Sequence, residues 1–140
     1  MRPRDTQNVD LPESSLLAAL RRGGYACQTR VKVGVRPGGK EHRVRAVASK
    51  GSNRILVSVR RQRVRNSAEQ TIPFEVICLA KAVLGGAFSK AYLVLTGDGW
   101  ALKEFYTDGG LQRHLAKSVV EAVRVVPAGK FAALAGKGEL

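Results

Sequence analysis

The run AYLVLT at residues 91–96 constrains the fold more than any other part of this chain. It lacks the apolar-polar alternation of a strand with one wet face, so a strand here has to be covered on both sides. Such strands are of the buried, parallel kind and need helices packed above and below the sheet. The surrounding segments supply them. SAEQTIPFEVICLAKAVLGG, residues 67–86, places Ile72, Val76, Leu79, Ala80 and Val83 on one helical face. Ser67 is the expected N-cap and Gly85-Gly86 the stop. Pro73 has to lie in the first turn to be tolerated.

The N-terminal half reads with similar clarity. From Pro12, ESSLLAALRR has helical spacing, with Pro12 suited to the first turn and Gly23-Gly24 closing the helix. YACQTRVKVGV then alternates, which predicts a strand with Tyr25, Cys27, Thr29, Val31, Val33 and Val35 on one side. RPGGKE is a turn. Strands follow at about 42–49 and 54–64, joined by SKGSN and expected to pair as an antiparallel hairpin. After AYLVLT come the turn GDGW, a short helical stretch broken near Asp108-Gly109-Gly110, the strand AVRVV, and a helix opened by Pro127 that runs through Ala135. The order is α-β-β-β-α-β with an α-β-α extension. The expected fold class is α/β, a mixed central sheet flanked by helices. Residues 1–11 are expected to form a flexible arm and 12–140 a single domain.

Composition matters chiefly through the placement of charge. Between Arg21 and Arg65 lie eleven arginines, three lysines and one acid, Glu41, so this stretch carries the whole formal charge of +13. The rest of the chain is balanced. Charge focused on one segment, mostly as arginine, points to a polyanionic partner, because the planar guanidinium grips phosphate oxygens in pairs. Arg43, Arg45, Arg54, Arg60, Arg61, Arg63 and Arg65 on two adjacent strands are the expected phosphate contacts. Side chains two residues apart on a strand are spaced about 6–7 Å apart, near the phosphate spacing of a nucleic-acid strand. The plainer alternative is a solvated edge strand guarded by charge.

Other chemistries find little support. No phosphate-binding glycine motif occurs, and Gly97-Asp98-Gly99 reads as a structural turn. Cys27 and Cys78 are far apart without a CxxC and read as reduced core thiols. His42 and His114 are isolated, and no zinc-ligand spacing is present. Trp100, Phe105 and Tyr106 read as packing residues before base-stacking ones. The apolar runs fall short of a membrane span, so no membrane partner is expected. The opening MRPRDTQNVD has no apolar leader core. A cytoplasmic, even nucleoid-associated, protein is expected, with an organelle left open.

The element order, together with GGKEHRVRAVASKGSNRILVSVRRQ, SAEQTIPFEVICLAKAV and KAYLVLTGDGWALKEFY, resembles the PD-(D/E)xK nuclease superfamily, the restriction-endonuclease-like fold, over residues 13–135. The resemblance is to a small-protein branch in which the third strand runs into a Gln-containing segment and a helix starting near Ala-Glu-Gln. It implies an αβββαβ core and, in active members, Mg²⁺ held by clustered carboxylates. The family's first acid falls on Arg45, and its (D/E)-x-K triplet falls on Ser58-Val59-Arg60. Glu13, Gln62 and Glu69 match further family positions. Arginine at the first acid repels a divalent cation, and Arg60 stays protonated and cannot act as a base. Both can hold a phosphate.

The resemblance therefore implies a pseudo-nuclease that binds nucleic acid, DNA or RNA, without a cofactor. One rival is an active Mg²⁺-dependent endonuclease whose acids have migrated to Glu13, Glu41, Glu69 and Glu75. Another is a basic structural subunit of a ribonucleoprotein or other large assembly. Nuclease relatives often pair, which implies a homodimer by analogy.

Overall fold

A five-stranded mixed sheet forms the middle layer of the computed structural model, which describes residues 10–140. In chain order the elements are α1 (Glu13–Arg22), β1 (Ala26–Val35), β2 (Glu41–Lys50), β3 (Asn53–Arg61), α2 (Ile72–Ala82), β4 (Lys90–Thr96), α3 (Lys103–Thr107), α4 (Lys117–Ala122), β5 (Val123–Pro127) and α5 (Ala128–Gly136). The strands lie in sequence order across the sheet. β1, β2 and β3 pair antiparallel, and β3, β4 and β5 pair parallel. The expected α/β architecture with helices on both faces is what the chain adopts.

β4 sits between two parallel neighbours, and its residues from Ala91 to Thr96 are all buried. Leu93 and Leu95 face a cluster with Ile72, Val76, Leu79 and Ala80 of α2. Tyr92 and Val94 face a second cluster with Leu16, Ala19 and Leu20 of α1 and Phe131 and Ala135 of α5. Each fully buried aliphatic side chain contributes about 1.5–3 kcal/mol, so the two clusters fix which helix covers which face.

α2 is preceded by a 3-10 turn, Ser67–Thr71, and followed by a π turn, Val83–Ala87, that contains Gly85 and Gly86. Its cap differs from expectation. Asn66, not Ser67, accepts the Ala68 N–H at 2.7 Å, since Asn66 is the extended residue and Ser67 is already inside the turn. Pro12 likewise lies at the N-cap of α1, one residue before the first helical position. The stretch Ser67–Ala87 is 21 residues long and apolar enough to cross a membrane by length and composition. In this fold one side of it packs the sheet.

Three further expectations need correction. Tyr25 and Cys27 pack on the α1/α5 face, whereas Val31 and Val33 pack on the α2 face. The single-sided row predicted for β1 breaks at Arg30, which has a left-handed backbone (φ 54°). β2 turns over at the same level: Ala46 packs with α1 and Val44 with α2. The hairpin thus changes faces between the pairs Thr29–Ala46 and Val31–Val44. β3 ends at Arg61 rather than 64, where Gln62 leaves the strand and takes up buried contacts. The predicted arm, residues 1–11, lies outside the described residues up to position 9. Its last two residues are tied down: Arg61 bonds Asp10 through two nitrogens, at 2.9 and 2.8 Å, and Leu11 N–H donates to Thr96 Oγ1 at 2.8 Å.

Candidate functional site

β2 and β3 pair from Lys50–Asn53 to Ala46–Val57 and then part. The next pair in that register, Arg45–Ser58, does not form, while β3 continues along β4 to Arg61–Thr96. Because the hairpin turns over at Arg30 and Arg45, it swings away from β3 and toward the start of α2. The space left between them is a cavity of about 390 Å³ lined by Arg30, Arg36, Arg43, Val44, Arg45, Ser58, Val59, Arg60 and Glu75.

Glu75 is the organising group. It projects from the first turns of α2 with its side chain only 1% exposed. His42 Nε2 lies 3.0 Å from Glu75 Oε1. A carboxylate only accepts, so this nitrogen carries the hydrogen and donates. Oε2 accepts from Arg60 and lies 3.1 Å from Arg36 Nη2. Burial alone would raise the Glu75 pKa. The His42 and Arg60 hydrogen bonds and the charges of Arg60 and Arg36 overcome it and lower the carboxyl to about 2. Glu75 is therefore ionised and fixes two guanidinium groups on the cavity wall.

The remaining arginines are held more loosely. Arg45 Nη1 lies 3.4 Å from Glu13 of α1. Arg43 donates to Glu41 at 2.6 Å and to the Arg30 carbonyl at 3.1 Å, which braces the turnover of the hairpin. Five arginines line the cavity, and three carboxylates bond to them: Glu75, Glu41 and Glu13. Positive charge remains in excess, as an anion site requires.

Of the expected phosphate contacts, the structure brings Arg43, Arg45 and Arg60 together here, along with Ser58. The others lie elsewhere. Arg61, on the opposite face of β3 from Arg60, and Arg63, just beyond the strand, both meet Asp10. Arg54 is at the far end of the strand, stacked over Phe88 with its guanidinium 4.9 Å from the ring centroid. Arg65 lines a separate groove with Asn66, Gln70 and Leu102. The seven arginines do not form one surface: strand alternation and the length of β3 divide the five on β2 and β3, and Arg63 and Arg65 lie beyond the end of β3.

Gln62 and Glu69 also lie outside the cavity. Gln62 Nε2 donates to Glu69 at 2.9 Å and to the Gly99 carbonyl at 3.0 Å. Glu69 accepts the N–H groups of Ala101 and Leu102, each at 2.9 Å. Burial would raise this carboxyl, but the donors from Ala101, Gln62 and Leu102 lower it. The pair fastens the loop after β4 to the end of β3. Gly97 and Gly99 make that loop possible: a Cβ on either would collide with the backbone of Gln62 or of Arg63 and Val64. Trp100 donates to the Thr96 carbonyl at 2.9 Å and meets Tyr106 edge to face, so these aromatics pack the same loop.

Glu13, Glu41, Glu69 and Glu75 do not converge. Each is engaged by different partners, and among the described residues no three His, Cys, Asp or Glu side chains gather as a metal site would need. Cys27 and Cys78 are free thiols. Sequence reasoning missed Arg30, Arg36 and His42. The one available signal was Arg36 in the glycine turn, ahead of two strands already read as basic. Compared with protein-family models and with curated proteins, the chain matches none.

Proposed function

We propose that this protein binds nucleic acid through the arginine-lined cavity between β2 and β3, as a restriction-endonuclease-like domain whose metal-binding acids have been replaced. One observation carries the reading. Arg45, Ser58 and Arg60, the positions at which the resemblance puts the nuclease acids and lysine, line one cavity at the parting of two strands. The element order α-β-β-β-α-β, with β3 and β4 parallel, supports the same relationship.

The chemistry of that cavity favours holding a phosphate over cutting one. Arginine stays protonated at any usable pH, so Arg60 cannot deprotonate water. Glu75, the buried acid nearest these positions, is already committed to His42, Arg36 and Arg60. Phosphate contacts of this kind set affinity and register rather than base sequence.

The test is oligonucleotide binding by fluorescence anisotropy over a salt series, run alongside incubation with plasmid and Mg²⁺ or Mn²⁺. Binding that weakens steeply with salt, without cleavage, is the expected result. Binding that is flat with salt overturns the electrostatic reading. Cleavage lost in Glu75→Gln or Glu13→Gln establishes the active nuclease instead.

A further inference from the structure

The shape of the cavity and its charge narrow the ligand, on the reading that the site holds nucleic acid. Its volume of about 390 Å³ is near the small end of the range for small-ligand clefts, roughly 300–1,000 Å³. A nucleotide-sized group fits, and a length of duplex does not. Along one strand the phosphates are separated by sugars, so such a cavity takes one phosphate at a time.

Charge then distinguishes two kinds of phosphate. Five arginines line the cavity, and Glu75, Glu41 and Glu13 are the carboxylates bonded to them, which leaves an excess of two positive charges. An internal phosphodiester carries one negative charge and two unbridged oxygens. A terminal phosphomonoester carries close to two charges at neutral pH and presents three acceptor oxygens. The arginines that line the cavity come from three parts of the fold: Arg30 and Arg36 from β1 and the turn after it, Arg43 and Arg45 from β2, and Arg60 from β3. Arginines supplied from three parts of the fold around one cavity suit a group with three free oxygens better than one with two.

We propose that this cavity reads the end of a nucleic-acid strand, binding a terminal phosphate in preference to an internal phosphodiester. Glu75 sets the arrangement by holding Arg36 and Arg60 against the wall before the ligand arrives, so little side-chain ordering is left for binding.

The experiment compares labelled single strands of one sequence, bearing a 5′-phosphate, a 3′-phosphate or hydroxyls at both ends, with a circular strand as competitor, all at fixed salt. The phosphorylated end is expected to bind about tenfold more tightly, the effect of one additional charge-assisted hydrogen bond. The two phosphorylated arms tell which end is read. Arg30→Gln and Arg43→Gln, whose side chains are exposed at the cavity mouth, should each reduce the preference. Lys117→Gln, outside the cavity, should retain it. Equal binding of phosphorylated, hydroxyl-ended and circular strands overturns the end-reading and leaves the nucleic-acid reading standing. Absence of binding to every one of these strands overturns both.

Discussion

The buried carboxylate of Glu75 accepts from His42 through one oxygen and from Arg60 through the other. Three elements meet in that relationship: β2, β3 and α2. Replacing Glu75 with glutamine keeps the shape but removes the charge that Arg36 and Arg60 face, and turns one acceptor into a donor. Leaving buried partners unsatisfied costs about 1–3 kcal/mol. Glu75→Gln should therefore lower Tm in thermal unfolding by several degrees, roughly 3–8 °C for a chain of this size. An unchanged Tm would mean the cluster contributes nothing to the fold.

The same group sets an acid limit. Its carboxyl is lowered from an ordinary 4.5 to about 2, so its stabilising effect is fully present above about pH 5 and is lost as pH falls from 4.5 toward 2. The full loss corresponds to about 3 kcal/mol. Glu69, also lowered, acts in the same direction. Urea unfolding between pH 6 and pH 3 should show stability declining with acid, and Glu75→Gln should flatten the decline. A wild-type curve flat through that range would contradict the geometry.

Glycines separate close backbone approach from open space. Gly97→Ala and Gly99→Ala drive a Cβ into the backbone of residues 62–64, just after β3, and Gly97 also has a left-handed backbone (φ 92°). Each should cost about 1–3 kcal/mol in denaturant unfolding. Gly85→Ala meets no atom within 4 Å and should be neutral or stabilising by up to about 1 kcal/mol. Equal effects at all three positions would show that the loop does not dock as described.

Arginines of one strand should differ in their effect on binding. Arg60 lines the cavity, whereas Arg54, six residues away and so about 20 Å along β3, does not. Arg60→Gln should weaken oligonucleotide binding and reduce the salt slope by about one, while Arg54→Gln leaves both unchanged. If the two substitutions act equally, binding is spread over the whole charged strand.

Local periodicity made much of this fold legible. AYLVLT demanded two covered faces, and the helix bearing Ile72, Val76 and Leu79 supplied one of them. The hairpin of β2 and β3 followed from two alternating runs and a short glycine loop. The turnover at Arg30 was hidden, because alternation continues unbroken in the letters while one left-handed residue reverses the faces. That reversal is what delivers Arg36 and His42 to Glu75 from more than thirty residues away in sequence. The candidate site was therefore half visible: Arg45, Ser58 and Arg60 were singled out by a resemblance, but not the buried acid that holds Arg36 and Arg60 beside them.

β3 has partners on both sides only from Ile55 to Val57; beyond Val57 it is laddered to β4 alone. Alternate amides between Ser58 and Arg61 therefore turn toward a neighbour that has moved away. Those amides should exchange with solvent deuterium through local opening, while amides of Ile55 to Val57 await unfolding of the whole sheet. Any widening of the cavity by the β1–β2 hairpin therefore has to break the contacts of His42 and Arg36 with Glu75 and unpack Val44 from α2, while the ladder between β3 and β4 stays intact.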